Sequence, residues 1–117
     1  MPYDERRTEP RAKAASQIMF ECFRHGTKIS QGFARTINLS EHGALVETPC
    51  AMDLDSSLIL SIHAPFYLLV IQGNVVHSRQ ISETTYHIGV RLINSIEGNW
   101  DHLKKDVQKR LQQGDVA

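Results

Sequence analysis

Six residues near the start of the chain, Arg6-Arg7-Thr8-Glu9-Pro10-Arg11, carry three guanidinium groups. Further on, Asn38-Leu39-Ser40-Glu41-His42-Gly43 sets an amide and a hydroxyl two positions apart. A guanidinium is planar and permanently charged; its fork of donors fits paired phosphate oxygens and guanine edges, and its flat face stacks on a ring. An amide and a hydroxyl can both donate and accept, which suits the edge of a base. The chemistry the two segments could do together is recognition of a small anion that carries a base.

Each segment also has a plainer reading. Fully extended, Arg7 and Arg11 would stand roughly 13 Å apart at about 3.3 Å per residue, and one helical turn would bring their Cβ atoms to roughly 6 Å. Pro10 disfavours the helix, pushes Glu9 toward extended or turn geometry and removes a backbone donor just before Arg11. The guanidiniums then approach a ligand from different directions on a bent arm, one pairing with a phosphate while another covers a guanine face. Without a ligand the same arginines are a solvated charged tail with incidental Arg-to-Glu pairs of small worth. The hexapeptide is equally a turn, because Asn and Ser bond nearby backbone and Gly reaches positive φ cheaply. As a binding element, it projects Asn38 and Ser40 to one side of a strand end, and Gly43 lets backbone approach the ligand without a Cβ in the way.

Between and beyond these segments the chain alternates as strands do. Gln17 to Phe23 places Ile18, Phe20 and Cys22 on one face, a turn at His25-Gly26 follows, and Lys28 to Asn38 returns. Ala44–Thr48, Ser57–His63, a long Phe66–His77 with a bend or bulge at Gly73-Asn74, and Thr84–Ile93 complete six strands. Short strands at close spacing predict a mainly β fold, a barrel or sandwich and not a βαβ one. The tail differs: Ile96, Trp100, Leu103, Val107 and Leu111 recur at helical spacing, predicting an amphipathic helix over about 96–113. Its apolar stripe must bury across an open barrel end or on a second copy, so monomer and homodimer both stay open. The first fifteen residues, basic and poor in apolar groups, are expected to be a loosely ordered arm (1–15) ahead of one domain (16–117).

Composition narrows the partner. Thirteen basic residues balance thirteen acidic ones, so the chain lacks the basic excess of a DNA or RNA binder, and a local arginine cluster points to a small anion. Cys22 and Cys50 are distant and form no CxxC, and the first fifteen residues show no apolar leader; free thiols in a cytoplasmic protein are expected. The densest apolar run, Phe66 to Ile71, is far too short to insert in a membrane. The Asn38-Leu39-Ser40 sequon is idle without export.

The two segments, in this order and with strands between them, are similar to the RxxxR and [D/N]xSxxG signatures of the PilZ family. The resemblance covers nearly the whole chain, since Ile88-Gly89-Val90-Arg91-Leu92 looks like the family's late strand and a helix closes it. It implies a six-stranded antiparallel β-barrel with a C-terminal α-helix and a flexible N-terminal arm, and binding of the bacterial second messenger cyclic di-GMP. By similarity Arg7, Arg11, Asn38, Ser40 and Gly43 take binding roles. Asn38 stands where Asp is commoner and loses a charge-assisted bond to guanine; Leu92 stands where Phe is frequent. Arg6 is the additional arginine that, in the family, goes with a stacked, intercalated pair of ligands, so two cyclic di-GMP molecules per chain are expected. Arg35 and Arg91 join the site if their strands face it.

Catalysis finds little support. GxSxG, HExxH and GxxxxGK are absent, and Asp53 and Asp55 lie in a Ser-rich turn. His63, His77 and His87 lack the spacing of metal ligands, so neither a metal nor a cofactor is expected. Three functions remain: a cyclic di-GMP receptor signalling to an unidentified protein partner in motility, biofilm or exopolysaccharide control; a ligand-independent interaction scaffold; and a single-strand nucleic-acid barrel. The last needs aromatic platforms, whereas aromatics are 7% and fall mostly on core strands.

Overall fold

The structure, a computed structural model, describes residues 9–117. Its elements are β1 Ala12–Lys13, β2 Gln17–Arg24, β3 Thr27–Leu39, β4 Gly43–Thr48, β5 Ser57–Ala64, β6 Tyr67–Ser82, β7 Thr85–Glu97 and α1 Trp100–Gln112. Strands pair antiparallel in the order β3-β2-β5-β6-β7-β4, and β4 pairs back with β3. That last pairing closes a six-stranded barrel, which leaves the main wall without a free edge.

The expected strands form because their period of two puts apolar groups inward. Ile18, Phe20 and Cys22 on β2, Leu58, Leu60 and Ile62 on β5, and Ile88, Val90 and Leu92 on β7 are all buried. The β2–β3 hairpin turns at His25 (φ 52°) and Gly26 (φ 79°), the pair of positive φ angles that matches the twist of two-residue hairpins. Sixteen-residue β6 curves around the barrel through four register shifts against β7, one of them between Gln72 and Gly73. A Cβ on Gly73 would lie 2.5 Å from Val90 Cγ1 and 2.7 Å from the Arg91 carbonyl oxygen, so close strand approach is what requires glycine there.

The helix buries its stripe within its own chain. Leu103 and Val107 are fully buried, and Trp100 and Leu111 pack at the margin of the core. The stripe is thus covered within the chain, where α1 lies against β1 and β6. The helix begins at Trp100, and Ile96 belongs to β7. Gly98 turns the chain at φ 86°, and the Asn99 side chain then caps α1 by accepting from the Asp101 N–H at 2.8 Å. Asp101 in the first turn and Lys109 and Arg110 in the last complement the helix dipole. No helix among the described residues is long and apolar enough to cross a membrane.

The described end of the predicted arm contributes a short strand that its composition did not announce. Ala12 pairs with Leu39 and Lys13 with Asn38 to make β1, and Ala12 is fully buried. The other side of β1 is taken by the C-terminal tail. Lys13 N–H donates to the Asp115 carbonyl at 2.8 Å, and Ala117 N–H to the Arg11 carbonyl at 2.9 Å. Arg110 Nη1 also donates to the Lys13 carbonyl at 3.1 Å. Backbone groups satisfied on both sides hold a segment whose side chains offer little to a core.

Candidate functional site

The second motif forms the β3–β4 hairpin. Asn38 is the last residue but one of β3, in register with Leu45 of β4; residues 40–42 make the turn, and Gly43 opens β4. The turn is closed by Ser40 N–H donating to the Gly43 carbonyl at 2.9 Å. Its tip is clamped from outside: Leu92 N–H donates to the His42 carbonyl at 2.9 Å, and Trp100 Nε1 to the Glu41 carbonyl at 3.0 Å. Gln108 Nε2 adds a bond to the Glu41 carboxylate at 2.9 Å. Late strand and helix thus fix the hairpin as a wall.

Against this wall lies the end of the arm. Arg11, only 8% exposed, donates from Nη1 to Asn38 Oδ1 at 2.9 Å. A bond between residues 27 apart in sequence joins the two motifs, and a charged donor makes it one of the stronger kinds. Gly43 has a structural reason distinct from turn geometry, since it is not among the positive-φ residues. A Cβ placed there would lie 3.1 Å from both Arg11 Nη2 and Ser40 Oγ. Glycine at 43 therefore makes room for the two side chains that flank it.

Glu9 is the contact that sequence reasoning missed. Its Oε1 accepts from Ser40 Oγ at 3.1 Å and from the His42 N–H at 3.1 Å, and its Oε2 accepts from His42 Nδ1. Burial would raise the Glu9 carboxyl, but hydrogen bonds from His42 and Ser40 outweigh it and hold the group below its ordinary value. The signal in the sequence is a lone carboxylate inside an arginine cluster, where incidental pairing with a neighbouring arginine is the simpler expectation. The order of contact is serine, carboxylate, histidine, with the Glu9 carboxylate between the other two. Glu41 brings a carboxylate oxygen within 4.8 Å of the ligand-type atoms of Glu9 and His42, and all three residues are engaged in hydrogen bonds.

Arg11, Asn38, Ser40 and Gly43 are thus brought together, whereas Arg6 and Arg7 lie outside the described residues. Arg91, exposed on β7, pairs in register with Gly43, between buried Val90 and Leu92; outward alternation puts it on the face where Arg11 and Ser40 flank Gly43. Arg35 is committed elsewhere, with Nη2 on Glu47 Oε1 at 2.9 Å. His87 bonds that carboxylate at 3.1 Å, and the His87 and Arg35 partners hold Glu47 below its ordinary value despite opposing desolvation. Cys22 and Cys50 are free, and burial raises the Cys50 thiol.

Comparison with known proteins adds the family. The sequence model of the PilZ domain matches residues 5–109. Among solved structures, the Bacillus subtilis inhibitor of motility MotI/DgrA is similar in fold, with a TM-score of 0.61 at 13% identity, covering 97% of this chain and 56% of that one. The chain therefore spans little more than half the length of that structural relative. No curated protein sequence is similar enough to match.

Proposed function

The chain belongs to the PilZ domain family, and from that premise we propose that it is a receptor for cyclic di-GMP, a binding and effector domain and not an enzyme. The observation that carries the reading is the Arg11–Asn38 bond, which assembles the arginine arm and the hairpin into one polar site. Its guanidinium pairs with ligand phosphate or base, Asn38 and Ser40 bond a guanine edge, and Gly43 leaves the space they need. Arg6 and Arg7 close over the ligand from the arm, and Arg6 offsets the charge of a second, intercalated cyclic di-GMP, giving two ligands per chain.

Ligand binding reaches a protein partner through β1. The strand is bonded to the hairpin's own β3 on one side and to the C-terminal tail on the other, so a shift at Arg11 moves both. A partner in motility, biofilm or exopolysaccharide control reads that difference if it binds the two states unequally. The reading places the protein in the cytoplasm, as monomer or homodimer, without nucleic-acid or membrane partners.

Titration at moderate salt with cyclic di-GMP and, separately, a short single-stranded oligonucleotide tests this. Saturable binding of cyclic di-GMP alone is expected, at two equivalents for the native chain and one for Arg6→Leu. Binding of the oligonucleotide with comparable strength would sink the reading. One equivalent for the native chain, or two for Arg6→Leu, would remove the paired ligand. A second reading, the ligand-independent scaffold, has in its favour that Arg11 already bonds Asn38 and Ser40 already bonds Glu9; saturable ligand binding excludes it.

A further inference from the structure

Three donors from one hairpin converge on a single carboxylate. Ser40 Oγ and the His42 N–H both reach Glu9 Oε1 at 3.1 Å, and His42 Nδ1 reaches Oε2. Arg11 borders the same place, because Nη2 and Ser40 Oγ each lie 3.1 Å from the position a Gly43 Cβ would take. A hydroxyl, a backbone amide and an imidazole facing one point make a cradle for an anion with two terminal oxygens. A carboxylate and a phosphodiester share that description: each has two terminal oxygens and one negative charge. Ser40 is 1% exposed, so its hydroxyl has little access to water, and beside the seated carboxylate at 3.1 Å it reaches the Gly43 carbonyl at 3.3 Å. The Glu9 and His42 side chains are by contrast 33% and 51% exposed, which leaves Glu9 able to swing out and His42 able to meet a ligand.

Resting on the cyclic di-GMP reading above, we propose that Glu9 is an internal stand-in for a ligand phosphodiester, and that His42 is a binding residue for that phosphodiester once Glu9 leaves. The arm thus carries both the arginines that recruit the ligand and the carboxylate that competes with it. With Glu9 seated, the binding-competent form is only a fraction of the population, and the apparent affinity is reduced by that fraction. Glu9 sets the threshold concentration at which the receptor responds. His42 then contributes through the same ring nitrogen and backbone N–H that now hold Glu9.

The test is calorimetric titration of cyclic di-GMP, with a chelator present, into the native chain, Glu9→Gln, and Glu9→Gln combined with His42→Ala. Both residues lie on the rim and outside the core, and circular dichroism checks that all three proteins are folded. Glu9→Gln is expected to bind about 3- to 10-fold more tightly, the scale of a partly exposed charged contact removed from competition. Adding His42→Ala in that background, where no latch remains to be lost, is expected to weaken binding by roughly 10-fold, with a change in the bound ligand's phosphorus resonances. Unchanged or weaker binding by Glu9→Gln overturns the competitor role, and an unaffected double variant overturns the role of His42. Failure of every variant, including the native chain, to bind cyclic di-GMP overturns the functional reading and this proposal with it.

Discussion

Replacing Arg11 with alanine is expected to weaken cyclic di-GMP binding by at least about 30-fold while the barrel stays folded. The figure follows from truncating a buried, hydrogen-bonded charge, which typically costs 2–5 kcal/mol of binding. Arg11 is 8% exposed and bonded to Asn38 Oδ1 at 2.9 Å. Two effects compete on stability. Removal leaves a buried Asn38 oxygen short of a donor, at about 1–3 kcal/mol, yet it also relieves the desolvation of a guanidinium. The net change in unfolding free energy is therefore expected to be smaller than the change in binding. Arg11→Lys separates charge from shape: it keeps the cation but loses the fork, so most of the affinity loss should persist. Equal losses in stability and binding for Arg11→Ala, or full recovery with Arg11→Lys, would mean that Arg11 holds the fold or supplies only charge.

The second large effect lies in the helix. Leu103 is fully buried where α1 closes the barrel, and Leu103→Ala is expected to destabilise the chain by about 2–5 kcal/mol, combining lost burial with the cavity left behind. Denaturant unfolding measures it, with a slope unchanged from the native chain. A cost below about 1 kcal/mol would show that the helix does not plug the barrel in solution, and the coupling drawn from β1 through the tail would fall with it. That coupling depends on residues 110–117 staying beside Lys13.

Much of this architecture is legible in the sequence because the wall of a small barrel is repetitive. Inward residues recur at period two, and His25-Gly26 announces a hairpin without help from distant contacts. Legibility fails where a segment is held by partners far along the chain. Ala12–Lys13 is too short to show a period, and the tail that pairs with it lies some hundred residues away. The helix boundary failed for a different reason: Ile96 fits the helical spacing of Trp100 and Leu103, but Gly98 and the Asn99 cap place the start beyond it. Stop and cap signals outrank periodicity at an element's edge.

The site divides the same way. Asn38, Ser40 and Gly43 could be chosen from a six-residue pattern, and Arg11 from a second. That Arg11 and Asn38 bond each other, and that glycine at 43 serves space and not positive φ, needed coordinates. Glu9 was hidden because a carboxylate among arginines looks like a local charge pair, whereas its partners are Ser40 and His42, more than thirty residues on. Contacts of that range carry no local pattern.

The central claim is that arm and hairpin form a single cyclic di-GMP site, and backbone amide resonances followed during titration of the native chain with cyclic di-GMP test it most directly. The account predicts that residues 9–13 and 38–43 shift together, along one saturation curve ending at two equivalents. Shifts confined to one of the two segments, or to the exposed pair Met19 and Phe33 on β2 and β3, would contradict it.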